Sequence, residues 1–174
     1  MLLTAPAGAS FSLTLPDEEA TQRLAMDIAS ALEPGDLITL SGDLGAGKTT
    51  FARALIRRLS GDDTTDVPSP TFTFVQNYEL PRFTLVHADL YRVGSAAELT
   101  ELGFEDLPDS AVVLVEWPDR AAGSLPTDRL DIAFTLAPEL APYFSYNMRP
   151  PPQTRTGRSC LIRLTMSKNN WVSY

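Results

Sequence analysis

One short stretch limits what this chain can fold into more than any other. Gly42-Asp43-Leu44-Gly45-Ala46-Gly47-Lys48-Thr49 satisfies the pattern G-x-x-x-x-G-K-[ST] without a mismatch. Glycines at these spacings let successive backbone amides turn inward around phosphate oxygens, because no Cβ blocks the conformations required. A helix beginning at the last glycine would aim its positive end at the same anion. Lys48 then supplies a mobile cation for the β- and γ-phosphates, and the Thr49 hydroxyl can ligate Mg²⁺. The flanks satisfy the same requirement. Leu37-Ile38-Thr39-Leu40 is short and apolar, as a buried central strand is. From about Lys48 to Leu59, the residues Phe51, Ala52, Leu55, Ile56 and Leu59 fall on one helical face, and Gly61 stands where that helix would end.

The rest of the chain alternates strands and helices around this unit. Phe11-Ser12-Leu13-Thr14-Leu15 alternates apolar and polar, as a half-buried strand does. Asp17 is placed to cap a helix, with Glu18 and Glu19 near its positive end and Ala20, Leu24, Ala25, Ile28, Ala31 and Leu32 as its apolar stripe. Pro68-Ser69-Pro70-Thr71 excludes regular helix and central strand. Thr71 to Leu80 and Phe83 to Arg92 read as an antiparallel hairpin about Pro81-Arg82. Ser95-Ala96-Ala97-Glu98 is a capping box for a helix through about Leu107. Ala111 to Trp117 is a second strongly apolar strand, and Leu130–Leu136 and Cys160–Met166 are two more. The expected fold is α/β: one P-loop NTPase-like domain, a mixed sheet with parallel centre and antiparallel flanking strands, and helices on both faces. Five of the 14 prolines fall between Pro138 and Pro152. The expected division is therefore an ATPase domain over 1–137, a proline-rich flexible connection over 138–157, and a last strand with a divergent tail over 158–174.

Charge and cysteine content exclude several classes. Lys plus Arg is 14 and Asp plus Glu 22, a net charge of -8, which argues against gripping a nucleic-acid backbone unaided. One cysteine, Cys160, and one histidine, His87, rule out a disulfide framework and argue against a zinc site; a reducing cytosol fits. No run of about 18 apolar residues calls for a membrane span, and MLLTAPAGAS lacks the basic start and apolar core of a signal peptide. The expected location is cytoplasmic.

Two acids compete for roles beside the loop. Glu116 closes the apolar run Val112–Val115, where a Walker-B acid would hold Mg²⁺. Asp89 ends the run Phe83–Ala88. One could serve the metal and the other the attacking water, although an acid at a strand end is often only a solvated turn residue. His87, Asp89 and Tyr91 share a sheet face by the two-residue period, which suggests a site or an interface. Thr71, after two prolines, could order around a γ-phosphate as a switch residue does, with a rigid loop as the alternative. Trp117 is expected on the face opposite Glu116, packing or forming an interface. Arg53 and Arg57 line one helix face beside Arg58 and could dock a partner. Arg92 and Arg120 are the in-chain candidates for an arginine finger, and Arg149, Arg155 and Arg158 read as a solvated loop.

Together these residues resemble a known family. Ser41 to Phe51, Pro68-Ser69-Pro70-Thr71-Phe72, His87-Ala88-Asp89-Leu90-Tyr91-Arg92, Glu101-Leu102-Gly103 and Val115-Glu116-Trp117-Pro118 look like segments of the TsaE (formerly YjeE) family, in the family's order. The resemblance covers about residues 12–137 and departs at the C-terminal end. It implies a small bacterial ATPase required for threonylcarbamoyladenosine at position 37 of tRNAs reading codons that start with A. It implies TsaB and TsaD as protein partners, tRNA met only through their complex, and ATP with Mg²⁺ as cofactors. Carried onto this chain, it makes Gly42, Asp43, Leu44, Gly45, Ala46, Gly47, Lys48, Thr49 and Thr50 the nucleotide-binding residues. Lys48, Asp89 and Glu116 become catalytic, Thr49 and Glu116 metal-binding, and Ser69 and Thr71 part of a switch-like loop; Trp117 lies near the nucleotide. Hydrolysis is expected to be slow alone and faster in the complex. A small-molecule P-loop kinase and a regulatory nucleotide-binding switch are the alternatives. A GTPase would need an Asn-Lys-x-Asp motif, which the sequence lacks.

Overall fold

The computed structural model describes residues 10–103, 109–121, 123–136 and 160–166. Seven strands form one sheet: β1 (Ser10–Leu15), β2 (Leu37–Gly42), β3 (Val75–Glu79), β4 (Thr84–Asp89), β5 (Val112–Glu116), β6 (Leu130–Leu136) and β7 (Cys160–Met166). Their order across the sheet is β1-β7-β6-β2-β5-β4-β3. The centre is parallel, with β2 between β5 and β6 and β4 beside β5. The flanks are antiparallel: β3 on β4, β7 on β6, and β1 on β7. Helices are α1 (Glu18–Ala31), α2 (Lys48–Ser60) and α3 (Ala96–Glu101), with a 3-10 turn at Pro118–Ala121. This is the expected α/β architecture.

Side-chain alternation divides the core into two layers. Ile38, Leu40, Leu85, Val112, Leu114, Ile132 and Phe134 point to the side where Ala25, Ile28, Phe51, Ala52, Leu55 and Ile56 of α1 and α2 pack. Leu37, Ala88 and Val115 point the other way, against Leu90, Leu99 of α3, Ala121 and Leu125. Phe51 meets Phe134 edge-on at 5.9 Å and 66°, a geometry that adds about 0.5–1.5 kcal/mol beyond area burial. Asp17 caps α1, its carboxylate accepting from the Ala20 amide at 2.7 Å. The buried face of α1 is turned slightly from the expected stripe, taking in Thr21 and Ala29 and leaving Leu24 only partly covered.

Three elements are shorter than their sequence pattern suggests. β3 starts at Val75, not Thr71, because residues 71–74 form a turn: the Phe74 amide bonds to Pro70 O at 2.7 Å, with Phe74 at φ 61. β4 stops at Asp89 because the Asp89 side chain accepts the Tyr91 amide at 2.9 Å and bends the chain. α3 stops at Glu101, two residues before Gly103 at φ 69. The expected hairpin survives, closed by the Leu80 amide on Phe83 O at 3.1 Å. The expected 138–157 connection with Arg149 and Arg155, then Arg158, and the 167–174 tail lie outside the described residues.

Gly42 ends β2 at φ 128, paired with Phe134 of β6. A Cβ there would stand 2.2 Å from the Phe134 carbonyl oxygen. Gly42→Ala is therefore expected to lower the unfolding free energy by about 3 kcal/mol or more, from backbone strain and overpacking together. Gly61 has φ 71 but nothing within 4 Å of its would-be Cβ, so Gly61→Ala should lose only about 1–2 kcal/mol. Denaturant midpoints measure both, and equal losses would contradict the close approach of β6.

Candidate phosphate and metal site

The site forms where β2, β5 and β4 end side by side. Parallel register sets Leu40 opposite Glu116 and Asp89 opposite Glu116 on the two edges of β5. The chain is held there by the Trp117 amide on Leu40 O and the Leu90 amide on Glu116 O, both 3.0 Å. Glu116, Asp89 and His87 all project to the α2 side, as alternation from Leu85 and Leu114 requires. The loop from Gly42 then climbs over the strand ends and delivers α2.

α2 starts at Lys48 with Gly47 as its cap, φ 113, and no side chain satisfies its first amides. Those amides have no intrahelical acceptor, so the helix end is open to an anion. Lys48 is 4% exposed. Its Nζ donates to Gly42 O at 2.7 Å and Asp43 O at 2.9 Å, and lies 3.9 Å from the Trp117 ring centroid. Burial pushes its pKa below the usual lysine range, opposed by the negative charges of Glu116, Asp89 and Asp43. Thr49 Oγ1 lies 3.1 Å from Glu116 Oε2 and 3.5 Å from Oε1. A cavity of about 330 Å³ opens here, lined by the loop, Ser69, Thr71, Asp89, Glu116 and Trp117 among others.

Asp89 is fully engaged. Ser69 Oγ donates to its Oδ2 at 2.8 Å and Thr71 Oγ1 to the same oxygen at 2.9 Å, while Oδ1 takes the Tyr91 amide. The two hydroxyls are 2.8 Å apart. The Pro68–Thr71 loop is thus tied to the end of β4, and Phe72 beside it is 82% exposed. Arg92 stacks over Phe72 at 5.1 Å, so in this arrangement it faces that ring.

A hard cation such as Mg²⁺ asks for oxygen donors and takes much of its shell from phosphate and water. The Thr49 hydroxyl and the Glu116 carboxylate, converging beneath an open helix end, suit that requirement. No group of three or more His, Cys, Asp or Glu able to hold a metal occurs among the described residues, so an all-protein cage is not what this site offers.

Three placements add detail that the sequence does not carry. His87 is linked to Glu116, Nε2 to Oε1 at 3.0 Å, with neither side chain more than 2% exposed. The sequence marks His87 as part of a polar face, but the pairing depends on strand register between β4 and β5. Trp117 packs against the second core layer as alternation suggests, yet φ 60 also swings its ring over Lys48 and to 4.9 Å from the Tyr91 ring. Arg53 and Arg57 have partners within the chain: their Nε atoms donate to Val67 O at 3.4 Å and Thr65 O at 3.0 Å, bracing the segment that leads to Ser69 and Thr71. A four-residue spacing signals a shared helix face, not what covers it.

Comparison with known proteins gives this site a family. The family model described as threonylcarbamoyl adenosine biosynthesis protein TsaE matches residues 15–140. A Rickettsia felis protein named tRNA threonylcarbamoyladenosine biosynthesis protein TsaE is 45% identical over 107 residues, 62% of this chain and 62% of that protein. The Rickettsia bellii protein of the same name is 39% identical over 122 residues, 70% of this chain and 84% of that one. The match thus spans about three fifths of the first protein's length and more of the second's. The crystal structure of Bacillus subtilis YdiB aligns with a TM-score of 0.66 at 27% identity, covering 96% of this chain and 92% of that one. With a family model over most of its length and the phosphate loop, strand-end acids and mixed sheet in place, the chain belongs to the TsaE family.

Proposed function

We propose that this chain is an ATP hydrolase serving threonylcarbamoyladenosine formation at position 37 of tRNA, in the cytoplasm and together with TsaB and TsaD. The observation that carries the reading is the meeting of Thr49 and Glu116 at 3.1 Å under the open end of α2. That places a hydroxyl and a carboxylate for a metal next to amides and a lysine for phosphates. The net charge of -8 supports tRNA reaching the enzyme through its partners.

The reaction is attack of water on the terminal phosphate of ATP, where positioning and charge stabilisation do most of the catalysis. The loop amides from Gly42 to Thr50 enclose the phosphates. Lys48 moves from the Gly42 and Asp43 carbonyls to phosphate oxygens. Mg²⁺, when bound, neutralises phosphate charge. Thr49 and Glu116 would hold it. Asp89, with both oxygens committed, holds the Ser69–Thr71 loop over the site, so its part in hydrolysis runs through that loop and the water it encloses. Trp117 screens Lys48 from solvent. TsaB and TsaD supply the contacts that raise a slow basal rate.

Lys48→Ala should cut ATP affinity by about 10–100-fold, the equivalent of ~1.5–3 kcal/mol for a charge-assisted contact, and abolish phosphate release. Turnover near wild type would sink the assignment. Release of free phosphate, with no phosphorylated small molecule, separates hydrolase from kinase; stimulation on adding TsaB–TsaD separates it from a passive binder.

Glu116→Ala should weaken Mg²⁺-dependent nucleotide binding, whereas Asp89→Ala should keep ATP binding and lose turnover. If Asp89 acts through its loop, Ser69→Ala with Thr71→Val should lower turnover as Asp89→Ala does, and the three changes combined should add little more. Additive losses in the steady-state rate would assign Asp89 a direct role on the water.

A further inference from the structure

His87 is the only histidine of the chain and no step above uses it. It is fully buried on β4. Its Nε2 lies 3.0 Å from Glu116 Oε1, and its Nδ1 is buried with no hydrogen-bond partner. Glu116 therefore has both oxygens spoken for, Oε1 by the ring and Oε2 by Thr49 Oγ1. The ring's own situation assigns its hydrogen. A hydrogen on Nδ1 would point at nothing and would set the Nε2 lone pair against a carboxylate oxygen. A hydrogen on Nε2 donates to that oxygen and leaves only an acceptor unused, the lesser cost in a water-free place.

The ring does not line the cavity beside the loop, although Glu116 does. What it can do is fix the rotation of Glu116. With Oε1 pinned from below, Oε2 is turned to Thr49 and the mouth of the site. Without the donor, a buried carboxylate keeps one oxygen unsatisfied and its terminal torsion is free to turn. We propose that His87 is a positioning residue: its Nε2–H holds Glu116 in the orientation that binds Mg²⁺ with the nucleotide. The proposal rests on the ATP and Mg²⁺ reading of the site and adds a residue to it. Partners that orient metal-binding side chains are commonly worth 10–100-fold in metal affinity.

The test uses the full chain and a fluorescent non-hydrolysable ATP analogue titrated over a range of Mg²⁺ concentrations. His87→Leu keeps an apolar volume but no donor; His87→Gln keeps an amide donor near the position of Nε2. The expected result is a Mg²⁺ half-saturation raised at least about 10-fold in His87→Leu, largely restored in His87→Gln, with analogue binding in EDTA unchanged in both. In a Glu116→Ala background, His87→Leu should move the Mg²⁺ dependence no further. Equal loss of binding with and without Mg²⁺, or no rescue by Gln, overturns the proposal. A wild type that binds no analogue at any Mg²⁺ concentration rejects the ATPase reading instead, a distinct outcome. Should His87→Leu fail to fold, long-range ¹H–¹⁵N correlation of the wild type decides, since a single imidazole makes the assignment unambiguous. Hydrogen on Nε2, with a resonance that shifts in Glu116→Gln, supports the pair; hydrogen on Nδ1 overturns it.

Discussion

The parallel pairing of β2 with β5 and of β5 with β4 is the constraint on which the rest of this molecule depends. Strands that run side by side in one direction finish on one side, and whatever follows each must share that edge. Here the followers are the Gly42 loop, Glu116 with Trp117, and Asp89 with Tyr91. Both faces of these strands are covered, so their sequences are mainly apolar, with Thr39 and His87 as buried polar exceptions ahead of the terminal acids. The carboxylates of these strands, Asp89 and Glu116, are thus confined to the strand ends by the same burial that stabilises the sheet.

That confinement creates an electrostatic problem which the site resolves internally. Glu116, Asp89 and Lys48 are all buried, along with His87. Each has partners: Lys48 the loop carbonyls, Asp89 two hydroxyls and an amide, Glu116 a hydroxyl and a ring. A buried charge without such partners costs several kcal/mol. The polar groups of the site thus satisfy one another. On the proposed reading, Lys48 exchanges the Gly42 and Asp43 carbonyls for phosphate oxygens, so one set of hydrogen bonds replaces another.

What could be read in the sequence follows a simple division. The loop, α1 and α2, the two central strands and the acids at their ends were legible because each is a local pattern of glycines, apolar period or strand termination. Glu116 and Asp89 stood out as the first charges after Val115 and Ala88. Register was not legible, and with it went the His87–Glu116 pair, which joins residues far apart in sequence. Backbone exceptions were hidden too. Phe74 and Trp117 adopt positive φ although neither is glycine, and nothing in their residue type announces it. The first shortens β3, and the second brings an indole over Lys48. Arg53 and Arg57 show the same limit for side chains: their face was visible and their carbonyl partners were not.

The placement of β7 carries a consequence for how the chain is made. Among the described residues β1 pairs with β7 alone, and β7 fills the gap between β1 and β6, so Ser10 must wait for Thr165. During synthesis the ribosome releases every element around the nucleotide cavity, from β2 to β5, well before that strand emerges. Contacts so distant in sequence also close late in folding. Until β7 follows, the β6 edge that it covers lacks that partner, and β1 lacks the strand it pairs with.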